Sequence, residues 1–339
     1  MRNQKIYGCI FGGAYGDAIG KATEFLSPEQ VVTSYGTKKI TFGGIISDFH
    51  RDGWDTTDWT DDTDQAILVM ETMHESSVDS CHTVFSSKLH HWVFNGFPEL
   101  GDNSGVGIGA PVGWAVKSPA FPTQPHSVAE EIWRNTDGYI YEDGAVMRCA
   151  VAGCFKKPKT EIFKYTVNIC QTTHYDPRCV AACTFIVSCV YDFVNGATDV
   201  AKVLVDAENA AVDAIKELKY IHGVDYDTQT YINKFLRYIN RAKSISSLSE
   251  IDFNKGHSRS NTKYPLYCAI YGLIKVSRGE TYSDIIEEII RRGGDADTNA
   301  CVAGNLMGAY AGFSAIPTTA FEMKNFFWLK NKVDDILLN

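Results

Sequence analysis

The stretch Arg291–Gly312, RRGGDADTNACVAGNLMGAYAG, decides how this chain folds. Gly293 and Gly294 read as a turn, and beyond them small residues recur at three- and four-residue spacing: Ala300, Gly304, Gly308, Ala311 and Gly312. That pattern is a loop feeding a helix with one flat face. Glycine costs a helix interior about 1 kcal/mol relative to alanine, so Gly304, Gly308 and Gly312 on one face make sense if another backbone lies close against it. Such a helix belongs in the middle of a bundle. Asp295, Asp297 and Thr298 stand at its start. Two carboxylates followed by a hydroxyl converge hard oxygen donors, which suit Mg²⁺, Mn²⁺ or Ca²⁺ rather than zinc. The competing reading makes Asp297 or Thr298 a helix cap and Asp295 a solvated turn residue.

A second acidic helix start stands far away in the chain. WTDDTDQ (59–65) precedes an apolar-periodic run, Ala66, Ile67, Met70 and Met73. Carboxylates gathered in one place repel one another and raise their own pKa values, so two such starts invite one shared cation or two.

Outward from these motifs the chain reads as helices. Residues 5–20 carry Gly8, Gly12, Gly16 and Gly20 on one helical face, a second surface for close packing. GxGxxG is absent and no strand pattern precedes, which excludes a dinucleotide-binding fingerprint. Residues 21–25 form a loop with Glu24 in it, read either as a surface acid or as a site acid. Ser27 caps a short helix with Pro28 in its first turn. After an irregular approach over 36–59, helices are expected at 62–76 and 79–95, the second turning Phe85, Leu89, Trp92 and Val93 inward and leaving His90 and His91 partly exposed. The Gly- and Pro-rich segment 96–138 reads as an insertion or lid with short helices at 104–117 and 126–135. In Glu142–Ala150, a turn and small residues open a helix ahead of Arg148, and backbone N–H groups at a helix start can hold an anion. Further helices are expected at 158–173, 176–195, 198–221, 228–243, 263–277 and 281–291. His174 lies between the first two of these, facing back into the bundle as a hydrogen-bonded core residue or as part of a site. A closing helix around Phe321 to Trp328 completes an all-α, single-domain, orthogonal bundle over residues 1–339 without internal repeats.

Composition narrows the function. The chain has 339 residues, 45% of them apolar, ample for one large core. A net charge of −9, with no run of more than two Lys or Arg among 32 basic residues, argues against general nucleic-acid binding. Ten cysteines without CxxC pairs point to a reducing compartment with buried thiols, Cys179 and Cys183 at helical spacing among them. Asp17 ends the apolar run GCIFGGAYG and no cleavage site follows, so no leader is expected. Cys179 to Val194 falls short of the ~20 residues of a membrane span. A cytoplasmic monomer is the expectation.

Five motifs in order resemble the ADP-ribosylglycohydrolase family, whose members include ADP-ribosyl-arginine and ADP-ribosyl-serine hydrolases and the dinitrogenase-reductase-activating glycohydrolase. They are GCIFGGAYGDAIGKATEF (8–25), WTDDTDQ (59–65), EDGAVMR (142–148), TTHYDP (172–177) and GGDADTNACVAG (293–304). The resemblance runs from about residue 5 to 313. It implies an all-α fold with a binuclear metal site at its centre, holding two Mg²⁺ ions, or Mn²⁺ in their place. Thr60, Asp61 and Asp62 match the first ligand group, Asp295, Asp297 and Thr298 the second, and Glu24 the active-site acid. Gly144, Ala145, Val146, Met147 and Arg148 match the loop that wraps the diphosphate, and His174 a histidine that contacts it. The implied substrate is an ADP-ribosylated protein or another ADP-ribose conjugate. The rival readings are a non-catalytic ADP-ribose-binding module and a metal-dependent hydrolase of another phosphorylated or glycosylated metabolite. The chain departs from the pattern in two places. Asp143 stands where the family often has Asn, and GDNSGVGIGAPVGWAV (101–116) looks like a subgroup of microbial eukaryotes.

Overall fold

Capping and spacing set the helix boundaries in the computed structural model, which describes residues 1–221, 227–254 and 259–338. The described α-helices begin with α1 (Arg2–Gly20), α2 (Pro28–Tyr35), α3 (Asp61–Glu75), α4 (Cys81–Asn95) and α5 (Ala110–Val116). Next come α6 (Pro125–Asn135), α7 (Val146–Cys149), α8 (Lys159–Cys170), α9 (Pro177–Val194) and α10 (Val200–Ile221). The chain finishes with α11 (Thr228–Ser244), α12 (Lys263–Ser277), α13 (Tyr282–Ile290), α14 (Ala296–Ala311) and α15 (Phe326–Val333). Among the described residues there is no strand, only an isolated bridge between Glu142 and Asn261. The all-α expectation holds.

Local chemistry explains the starts. Ser27 and Gln30 form a capping box at α2, and Asp176 accepts from the Arg178 N–H ahead of Pro177 at α9. Three expected elements differ. The helix read over 104–117 shortens to α5, because the glycines at 105, 107 and 109 hold its first half out of helical conformation. The closing helix splits into a 3-10 turn, Thr318–Glu322, and α15. Gly312 does not extend the glycine face of α14; it ends that helix at φ +87°, a left-handed cap suited to glycine.

The glycine faces of α1 and α14 meet along their length in the most extensive helix pairing of the described residues. A Cβ placed on Gly8 would stand 2.2 Å from the Gly308 carbonyl oxygen, and one on Gly308 would stand 1.8 Å from that of Gly8. Both neighbours are backbone, so neither can swing away. Gly308→Ala is therefore expected to destabilise the fold by about 3 kcal/mol, the upper range of overpacking, read as a lower urea midpoint with little change in slope.

Against this pair pack α12, α13 and α9. By length and composition α9 could cross a membrane, yet of its residues only Tyr191 and Asp192 are not buried in the bundle. All ten cysteines are buried free thiols, Cys179 and Cys183 within α9 among them. The α1–α14 contact carries the starts of α3 and α14, and the loop after α1, to one place.

Candidate active site

The start of α3 is held from below by Asp17, which sequence reading left as the residue ending an apolar run. Its Oδ1 accepts from the Thr60 N–H (3.0 Å) and Oγ1 (2.8 Å), and its Oδ2 from the Thr63 N–H (3.0 Å) and Oγ1 (2.6 Å). Burial nevertheless pushes its carboxyl up to about 6. Lys21, also buried, donates from Nζ to the carbonyls of Asp55 and Asp58 and so ties the approaching loop to the end of α1.

Asp295 makes no capping hydrogen bond at α14 and is 6% exposed, which overturns the cap-and-solvated-turn reading. Asp297 and Thr298 are buried as well. Thr298 Oγ1 donates to Asp62 Oδ2 at 3.2 Å, and Thr60 Oγ1 lies 3.5 Å from Asp297 Oδ2, so the two acidic helix starts touch. One carboxylate oxygen each from Glu24, Asp295 and Asp297 lies within 4.8 Å of the others. Buried Asp62 Oδ1 and Asp297 Oδ1 have no hydrogen-bond partner among the described residues. Burial first, then the neighbouring carboxylates, drives the carboxyls of Asp61, Asp62 and Asp297 well above the ordinary range. Hard, converging, unpartnered oxygens with mutual repulsion are the surroundings of a divalent cation, and the residues present fit one.

Glu24 is gripped by a turn that the sequence left unread. His50 Nε2 lies 2.7 Å from Glu24 Oε2, and that hydrogen bond raises the imidazole pKa. Arg51 donates from Nε to the Ala22 carbonyl and from Nη2 to the Glu24 carbonyl, both at 2.7 Å. Phe25 follows at φ +59°, a left-handed conformation that costs a bulky residue of order 1–3 kcal/mol, and its N–H donates to the Gly294 carbonyl. Backbone and carboxylate of Glu24 are thus both anchored. His50 lies between the rings of Phe25 (5.1 Å) and Trp54 (5.6 Å).

Gly144, Met147 and His174 line the same cavity. Ala145, Val146 and Arg148 sit behind its wall, and the dipole argument weakens because α7 is only four residues long. The Val146 and Met147 N–H groups already donate to the Asp143 carbonyl, at 2.7 and 3.1 Å. Arg148, 1% exposed, donates to Gln65 and Thr173 and lies over the Phe85 ring at 4.7 Å, so its guanidinium points away from the cavity. Asp143 is buried, with Oδ2 unpartnered among the described residues, and burial followed by Asp295 raises its pKa well above the ordinary range. It joins the acidic group.

These residues enclose a cavity of about 210 Å³. Segment 96–138 supplies part of its wall, through Gly107, Ile108, Gly109, Pro111 and Val112. Gly107, at φ +97°, packs so closely that a Cβ there would stand 2.6 Å from Asp61 Oδ1.

The all-α fold is shared with a solved structure named "ADP-ribosylglycohydrolase-related protein complex". The two match with a TM-score of 0.66 at 18% identity, over 99% of this chain and 98% of that one. The sequence model described as ADP-ribosylglycohydrolase matches residues 1–337, and the chain belongs to that family of glycosyl hydrolases acting on ADP-ribosyl bonds. The ADP-ribosylarginine hydrolase Tri1 of Serratia proteamaculans (strain 568) is 22% identical over 92% of this chain and 73% of its own length. The L543 protein of Acanthamoeba polyphaga mimivirus, provisionally named an ADP-ribosyl glycohydrolase, is 23% identical over 91% of this chain and 87% of its own.

Proposed function

We propose that the chain is a Mg²⁺-dependent hydrolase that cleaves α-linked ADP-ribose from a modified protein side chain or a related conjugate. One observation carries the reading: the oxygens of Glu24, Asp295 and Asp297 converge in a cavity that Gly144 and His174 also line. Thr60, Asp61, Asp62, Asp295, Asp297 and Thr298 are the residues that would hold two Mg²⁺ ions. When bound, these ions supply Lewis-acid counter-charge for the ribose hydroxyls. The cavity wall at Gly144, Met147 and His174 holds the diphosphate. Glu24, fixed by His50 and Arg51, takes a proton from the water that attacks C1″ while the bond to the leaving group breaks, and that proton passes on to the departing acceptor, giving free ADP-ribose, the unmodified acceptor and the regenerated carboxylate. Segment 96–138, packed over Asp61, bounds the space left for that acceptor.

The test is release of free ADP-ribose from Arg-, Ser- and ester-linked substrates, with Mg²⁺ and again with chelator. Release from one linkage that chelator abolishes supports the reading and names the acceptor. Tight ADP-ribose binding without turnover of any conjugate favours a non-catalytic binding module instead.

Metal dependence has a pH signature. Burial lifts the Asp17 carboxyl from its ordinary 3.8 to about 6 in the folded chain, so between these values the folded chain binds more protons than the unfolded chain. The metal-free fold therefore loses stability as pH rises through that window, and the buried carboxyls at 61, 62 and 297 push the same way. Metal binding displaces those protons, so Mg²⁺ affinity rises with pH. The stabilisation gained by adding a fixed concentration of Mg²⁺ to chelated protein, read as a rise in Tm, is expected to be small near pH 5 and to grow towards pH 8, about 2.7 kcal/mol where the concentration is one hundred times Kd. A gain that does not change with pH counts against carboxylate ligands.

A further inference from the structure

A chain of hydrogen bonds runs behind the cavity wall, from the acidic group to the histidine assigned to the diphosphate. Gln65 Nε2 donates to Asp61 Oδ2 at 2.8 Å, and Gln65 Oε1 accepts from Arg148 Nη1 at 2.6 Å. Arg148 Nη2 then donates to Thr173 Oγ1 at 2.7 Å, and Thr173 Oγ1 lies 2.8 Å from His174 Nδ1. Gln65, Arg148, Thr173 and His174 are each at most 2% exposed. His174 Nε2 is buried and unpartnered among the described residues, and its ring lines the cavity, packed so closely on Gly144 that a Cβ there would stand 3.2 Å from Nε2.

The direction of each bond follows from the groups. Guanidinium has donors only, so Arg148 occupies a lone pair of the Thr173 oxygen and leaves its single hydroxyl hydrogen free. Among the described residues the acceptor within reach of that hydrogen is His174 Nδ1. The reverse arrangement would strand a buried hydroxyl hydrogen and aim a bare nitrogen lone pair into a cavity meant for an anion. A nitrogen that accepts at Nδ1 carries its proton at Nε2. Burial, and then Arg148, holds the imidazole well below its ordinary pKa, so the ring is neutral.

We infer that Arg148 is a positioning residue: acting through Thr173, it fixes His174 as the Nε2–H tautomer and so aims a neutral hydrogen-bond donor at the substrate's diphosphate. The inference rests on the functional reading above for the identity of the anion. It places the one charged side chain of the EDGAVMR motif that can donate to phosphate two residues away from the ligand, behind Thr173 and His174. The same guanidinium orients the Gln65 amide, so the donor at one end and the Asp61 carboxylate at the other are set by a single group.

Two measurements test it. In ¹⁵N-labelled parent protein, the imidazole correlations of His174, assigned by difference against His174→Gln, should show the Nε2–H tautomer. Thr173→Val removes the hydroxyl at nearly constant volume; it should mix the tautomers and weaken ADP-ribose binding by calorimetry about 10-fold, while Thr173→Ser restores both. A parent in the Nδ1–H tautomer overturns the inference whatever it binds, as does Thr173→Val with parental tautomer and affinity. A parent in the Nε2–H tautomer that binds no ADP-ribose supports the relay and overturns the functional reading instead.

Discussion

Asp297→Ala is expected to lose divalent-metal binding and hydrolysis together, with activity down by about 10³-fold or more. That figure corresponds to several kcal/mol of transition-state charge stabilisation at about 1.4 kcal/mol per tenfold. The reason lies at the α14 start, where Asp297 lies against Thr60 and shares a 4.8 Å cluster with Glu24 and Asp295 while one of its oxygens has no partner. The same substitution relieves repulsion. Without metal the variant should be no less stable than the parent, and about 1 kcal/mol more stable is a reasonable expectation for a removed buried like charge. Calorimetric Mg²⁺ titration, ADP-ribose release and Tm in chelator separate these effects. A variant that keeps its metal would remove Asp297 from the ligand set.

Glu24→Gln is expected to behave differently. Activity should fall by about 10²–10⁴-fold, the usual worth of a positioned base, with Mg²⁺ stoichiometry unchanged. The amide keeps the shape and can still accept from His50 at 2.7 Å, so the turn around Arg51 should hold and Tm should move little. Loss of metal in this variant would make Glu24 a ligand and reassign the base.

Much of this arrangement was legible beforehand, and for a physical reason. Glycines four apart on a helix carry a penalty that only a neighbouring backbone explains, so residues 8–20 and 304–308 announced their packing before either helix had a partner. Acidic helix starts announced themselves similarly, since carboxylates gathered at two such places need a counter-charge. What stayed hidden depends on contacts between parts of the chain without period. Asp17 looks like a break in an apolar run until α1 packs under α3 and its carboxylate meets Thr60 and Thr63. His50 and Arg51 sit in a segment with no repeat to read, 26 and 27 residues from the acid they hold. Arg148 was visible as a motif residue, but sequence spacing does not say on which side of a four-residue helix a long side chain leaves, and here it leaves away from the cavity. Glycines and prolines marked 96–138 as an insertion or lid; that Gly107 is the one resting on Asp61 is a matter of tertiary fit.

The glycine seam between α1 and α14 also governs when the enzyme comes into being during synthesis. Its two halves are separated by almost 300 positions, so a growing chain carries α1 with an unpartnered face until residues 296–311 have left the ribosome. Long-range closure of this kind slows folding and prolongs exposure of surfaces that stick to other chains. Glu24, directly after the seam on one side, and Asp295 and Asp297, at its start on the other, meet only in that last step. On the proposed reading the site is therefore incomplete at any intermediate length, and competence to cleave the substrate arrives with the closing of the core rather than before it.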